Sequence, residues 1–144
     1  MNLETISYSE FKNISAEKYN KIPLYYFFDK KQKEELFIKL GVTDENAKEK
    51  LYLAFDGVIL KSEAHKLDEY YEWYSETIDV LHKREDFLYQ MFYYEFNNYE
   101  SHIANSYQDV FDEFAVDKKS DIVKKAYEKA KTDHWQDAVK HDLF

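Results

Sequence analysis

Residues 50–61 read "KLYLAFDGVILK", two apolar segments around Asp56-Gly57, and their reading decides the fold class. Asp-Gly between apolar runs readily takes the left-handed backbone of a tight turn, so the chain is predicted to fold back here as two antiparallel strands. Upstream, "PLYYFF" at 23–28 reads as a short aromatic strand; with the hairpin it makes a small antiparallel sheet of about three strands. The flanking signals are helical. Ser7 and Glu10 have capping-box spacing and open a first helix that Pro23 must end. Asp29 can cap a helix through "KKQKEELFIKL", and Gly41 stands where a helix C-cap belongs. After Ser62, helices are predicted at roughly 63–83, 86–101, 107–115 and 120–141, the last broken near Asp133. The fold class is therefore α+β, mainly helical with five to six helices and a hairpin at Asp56-Gly57.

A chain of 144 residues fits one domain, 1–144, large enough to bury a core without disulfides or metal. The absence of cysteine removes a disulfide framework, a thiolate metal site and a cysteine nucleophile. Aromatic residues reach 19% while Gly and Pro total three, which predicts a compact helical body without a structureless lid. The amino terminus lacks a basic segment followed by an apolar run, and no stretch approaches a membrane span, so the expected location is the cytoplasm, with no membrane partner.

The net charge of −9 is unevenly spread. Residues 1–61 carry ten acids and ten bases, 62–117 fourteen acids and three bases, and 118–144 five acids and seven bases. A middle segment at −11 repels phosphate backbones, which argues against direct nucleic-acid binding, and it attracts a basic groove on another protein.

Within that segment, "KLDEYYEWYSETIDV" at 66–80 places Asp68, Glu72, Glu76 and Asp79 along one helical line with no lysine among them. Like charges at i,i+4 repel, so surface helices ordinarily intersperse lysines. Successive carboxylates rise about 6 Å along the axis, comparable with neighbouring phosphates on a strand, so the line has the spacing of a phosphate mimic; the plainer alternative is a solvated face. Ala64, Leu67, Tyr71, Tyr74, Ile78 and Leu81 form the seam expected to pack against the body. Glu69 belongs to the same acidic surface, and Tyr70, Trp73 and Tyr89 are the aromatic anchors expected beside it. In "DFLYQMFYYEFNNYES" at 86–101, Phe87, Leu88, Met91, Phe92 and Phe96 are the predicted core; Tyr93, Tyr94 and Tyr99 carry hydroxyls that suit water or a partner. On the last helix, Ile122, Val123, Ala126, Tyr127 and Ala130 share a face, and Trp135 is a candidate core anchor.

Motifs for catalysis are missing. No Gly-rich phosphate loop, G-x-S-x-G elbow or H-E-x-x-H occurs, and two glycines cannot build the usual nucleotide cradle. His65 with Glu69, and Asp137 with His141, have i,i+4 metal-pair spacing without a visible third ligand, so no metal, cofactor or enzymatic activity is expected.

The order "YYFFDKKQKEELFIKLGV", then a hairpin ending "GVILK", then "YYEFNNYES" resembles a family of small proteins carried by phages and prophages of AT-rich bacteria, over residues 8–130. Asp56 stands in place of one hairpin glycine of that pattern and Tyr99 in place of a histidine. The resemblance implies a mobile-element origin and brings no activity with it. Small acidic phage proteins without catalytic motifs look like anti-defence inhibitors, among which anti-CRISPR proteins are prominent. The expected function is therefore an inhibitor that binds the basic nucleic-acid channel of a CRISPR effector nuclease through its acidic, aromatic helical face. The alternative is a phage accessory or structural adaptor acting through protein contacts or as a homodimer.

Overall fold

The computed structural model describes residues 1–54 and 57–141. Its elements are helices α1 (Tyr8–Asn20), α2 (Lys30–Leu40) and α3 (Ala47–Lys50), strands β1 (Leu51–Ala54) and β2 (Gly57–Leu60), then α4 (Ala64–Leu81), α5 (Glu85–Asn98), α6 (Ser101–Ala104), α7 (Tyr107–Phe114) and α8 (Asp121–Lys140). The chain is mainly helical with a two-stranded antiparallel hairpin, an α+β fold. It divides into two compact units, one of Met1–Asn13 with Ser75–Phe144 and the other of Ile14–Tyr74.

The first unit is built on α5. Phe87, Leu88, Met91, Phe92 and Phe96 are all buried, as their periodicity predicts. Phe92 stacks on Phe96 and Phe111 and meets the edge of Tyr127, while Phe96 meets the edge of Tyr107 with centroids 4.8 Å apart. These offset and edge-on pairs add to the burial itself. Helix α8 presents Val123, Ala126, Tyr127, Ala130, His134 and Ala138 as its buried face. Its three alanines leave room for the rings of α5. That register puts His134 inside and leaves Trp135 47% exposed, so Trp135 is not the core anchor expected of it. Helix α8 also runs unbroken through Asp133, because neither Pro nor Gly interrupts it. Arg84 ties down the amino terminus by donating to the carbonyls of Leu3 and Ile6, while its other nitrogens hold Asp86 and keep that carboxyl below its ordinary range.

In the second unit, Leu51 pairs with Leu60, Tyr52 with Ile59, Leu53 with Val58 and Ala54 with Gly57. Asp56 lies outside the described residues; Gly57 is the first residue of β2. A side chain at Gly57 would stand 2.6 Å from the Tyr25 carbonyl oxygen, so the residue serves the close approach of the two backbones. The expected third strand is a single antiparallel bridge, in which Tyr25 and Val58 exchange hydrogen bonds of 2.9 and 2.8 Å. Neighbouring backbone groups are committed elsewhere: the Leu24 N–H donates to the Ile22 carbonyl across Pro23, and the Phe28 N–H donates to Gln32 Oε1. Asp29 caps α2 by accepting from the Gln32 N–H, and Gly41 closes that helix in the left-handed conformation, both as predicted. The small core is Ile22, Ala54 and Ile59, covered by Tyr19, Leu24, Ala64, Leu67 and Tyr70.

Candidate functional site

Helix α4 is one continuous element of 18 residues with no base in its last turn. Asp68, Glu72, Glu76 and Asp79 are all exposed. Among the described residues, none of the four carboxylates forms a salt bridge with a lysine or arginine. Two i,i+4 repulsions and one at i,i+3 accumulate along the line, and Asp79 sits at the end where the helix dipole is already negative. The arrangement costs the helix about 1–2 kcal/mol. Asp79 also acts on His82, just past the helix end, favouring its protonated form, but burial dominates and lowers the histidine's pKa.

The seam of α4 differs from the expected one. Tyr71 and Tyr74 remain 41% and 37% exposed, whereas Tyr70 joins Leu67 and Ala64 over the Ile22 core and Thr77 joins Ile78 and Leu81 in burial. Tyr70 meets Tyr19 edge-on at 5.4 Å and lies 6.0 Å from Trp73. Burial raises the pKa of Tyr70, Tyr71 and Tyr74, and with a hydrogen bond to Tyr26 it lifts Tyr19 to about 12. These hydroxyls stay protonated throughout the physiological range. Tyr70 and Trp73 are half-buried in this aromatic cluster, so the anchors expected beside the acidic line turn toward α1.

That side of the helix is not acidic. Lys18 of α1, Lys21 and Ile22 just past its end, and Lys66, Glu69, Tyr70 and Trp73 of α4 line a pocket of about 350 Å³. The Lys18 ammonium lies 4.7 Å from the Trp73 ring centroid, and Lys66 pairs with Glu63. Glu69 thus belongs to a lysine-rimmed aromatic hollow. Lys18 and Lys21 carry no motif and were not anticipated; the signal available was their i,i+3 spacing across the end of the first helix.

Tyr89, Tyr93 and Tyr94 form a second group, on α5. The Tyr89 hydroxyl donates to Asp133 at 2.7 Å and the Tyr93 hydroxyl to Asp137, so two of these three tyrosines have their hydroxyls held by α8. Burial, followed by these carboxylates, pushes Tyr93 to about 12 and Tyr89 up as well. Tyr94 is exposed, with Lys12 over its ring. These three tyrosines line a groove of about 360 Å³ with Tyr8, Gln90 and Asp137. Deeper in the same unit, His134 bonds Tyr107 through Nδ1 and Asn97 through Nε2, and burial lowers its pKa. The imidazole is therefore a fully used neutral strut.

Among the described residues no three His, Asp or Glu side chains converge to hold a metal ion, so neither His65 with Glu69 nor Asp137 with His141 gains a third ligand. No helix among them is long and apolar enough to cross a membrane.

A mainly helical α+β chain with a lysine-free acidic helix face is the class that fold and surface define. Residues 7–133 match a family of unknown function (DUF7659), and the chain belongs to that family. No curated protein and no solved structure matches it.

Proposed function

We propose that this protein is a stoichiometric inhibitor that docks the acidic line of α4 onto a basic nucleic-acid channel of another protein, with a CRISPR effector nuclease of a phage-infected cell as the target. The observation that carries the reading is the set of four exposed carboxylates without a lysine or arginine partner among the described residues, kept at a cost to the helix. A channel that tracks phosphates through lysines and arginines would supply the missing counter-charge. The protein acts by occupancy, without turnover or cofactor. Titration into purified effector complexes tests this: inhibition saturates at equimolar protein, survives chelation, and weakens as salt rises, since exposed charges are screened over about 10 Å at 0.1 M. Inhibition at strongly substoichiometric protein would mean turnover. Salt-independent binding would mean an apolar interface.

One observation favours a second reading, a self-associating adaptor. Val58 directs both backbone groups to Tyr25, so Leu53, opposite it, turns its own N–H and C=O to the outer edge of β1. Its side chain is 88% exposed, and Phe28 and Ile38 are similarly bare at 85% and 81%. An apolar edge of this kind suits strand pairing with a second copy. Sedimentation equilibrium that returns a dimer, lost on Leu53→Lys, supports the adaptor; a monomer at high concentration excludes it.

A further inference from the structure

We infer that the hollow between α1 and α4 is a binding site for a small nucleoside phosphate, its base stacked on Trp73 and its phosphate held by Lys18 and Lys21. The inference is independent of the role of the acidic line. Residues 62–117 contain only three bases, and one of them, Lys66, lines this hollow with Lys18 and Lys21. Three lysines thus line the hollow together with an indole and a phenol, in a chain whose net charge is −9. Lys66 is engaged by Glu63, whereas among the described residues Lys18 and Lys21 have no carboxylate partner. Lys18 instead rests on the Trp73 face, the surface on which a planar base would stack. On binding, its ammonium leaves the ring for the phosphate, exchanging a cation–π contact for a charge-assisted hydrogen bond. Glu69 supplies an acceptor for ribose hydroxyls or an exocyclic amine. The volume, about 350 Å³, suits a ligand of mononucleotide size. A long strand is disfavoured, because the carboxylates of Asp68 and Glu72 stand on the same helix and would face its further phosphates.

Only Trp73 and Trp135 fluoresce as tryptophans, so full-length Trp135→Phe isolates the reporter. Adenosine monophosphate should quench Trp73 saturably, and adenosine, which lacks the phosphate held by Lys18 and Lys21, should bind at least tenfold more weakly, a difference of about 1.4 kcal/mol or more. Lys18→Ala with Lys21→Ala should abolish the preference for the monophosphate over adenosine while adenosine still binds, since the base then stacks on a Trp73 face that no ammonium covers. Calorimetry on the unsubstituted chain should give the same ordering, independent of the reporter. No saturable binding of the monophosphate, equal affinities for the two ligands, or tighter binding of a single-stranded oligonucleotide would each overturn the assignment.

Discussion

Lys12→Met tests the packing logic of the first unit at its costliest point. Glu95 lies in the middle of the aromatic helix α5 and is 1% exposed; its partner is the Lys12 ammonium at 3.2 Å. Stripping the partner from a fully buried carboxylate costs about 3–5 kcal/mol, and because the Lys12 side chain is 40% exposed we halve that to about 2 kcal/mol. The same ammonium lies over Tyr94 at 4.6 Å and Tyr8 at 5.5 Å, which adds about 1 kcal/mol. Methionine keeps the alkyl stem, so about 3 kcal/mol is expected from charge alone, a fall in melting temperature of roughly 6–12 °C for a chain of this size. Urea unfolding of Lys12→Met, Glu95→Leu and the double variant closes the cycle, provided the denaturant slope is constant. With both charges gone no carboxylate is stranded, so the double variant should be more stable than Lys12→Met. A double variant that is less stable, or a Lys12→Met variant within about 0.5 kcal/mol of the parent, would refute the reasoning.

Two further outcomes follow from the geometry. Gly57→Ala places a methyl against the Tyr25 carbonyl and should cost about 2 kcal/mol, with faster amide exchange at Tyr25 and Val58; an unchanged exchange pattern would show that the bridge tolerates it. Acidification should also destabilise the fold through His134 and His82. Both have folded pKa values lowered by burial, so the unfolded chain takes up protons first; stability is complete above pH 6.5, the ordinary histidine value, and falls below it. Urea midpoints at pH 7.5 and 5.5 check this, and equal midpoints would contradict it.

What the sequence made legible was local chemistry. The Asp29 and Gly41 caps, the strands around Asp56-Gly57 and the buried face of α5 rest on turn residues or on a periodicity that neighbours reinforce. The misread positions are those where adjacent residues compete for one seam. Tyr70 and Tyr71 are equally aromatic, and only the placement of Tyr19 and Ile22 decides that Tyr70 faces inward. His134 and Trp135 pose the same choice on α8, resolved by the hydrogen-bond partners Tyr107 and Asn97, neither of which periodicity shows. Helix α6 was invisible because Glu100 and Asn105 bound it in left-handed conformations, and only Asn favours that state. At the candidate site, the carboxylate line was legible because it lies on one helix. The lysine-rimmed hollow was not, because Lys18 and Trp73 meet only after α1 and α4 pack.

The central claim is that the carboxylate line of α4 is kept for a basic partner at the expense of the helix. Replacing Asp68, Glu72, Glu76 and Asp79 together by Asn, Gln, Gln and Asn removes the repulsion while preserving size, so the melt should stay level or rise by a few degrees, about 1 kcal/mol. Binding to the effector should move the other way, since each lost charge contact at a partly desolvated interface costs about 1–3 kcal/mol. One measurement decides it: the binding isotherm of this variant against the purified effector, taken beside its melting curve. Lost binding with undiminished stability is the predicted result, and full binding by the neutralised helix would contradict the account.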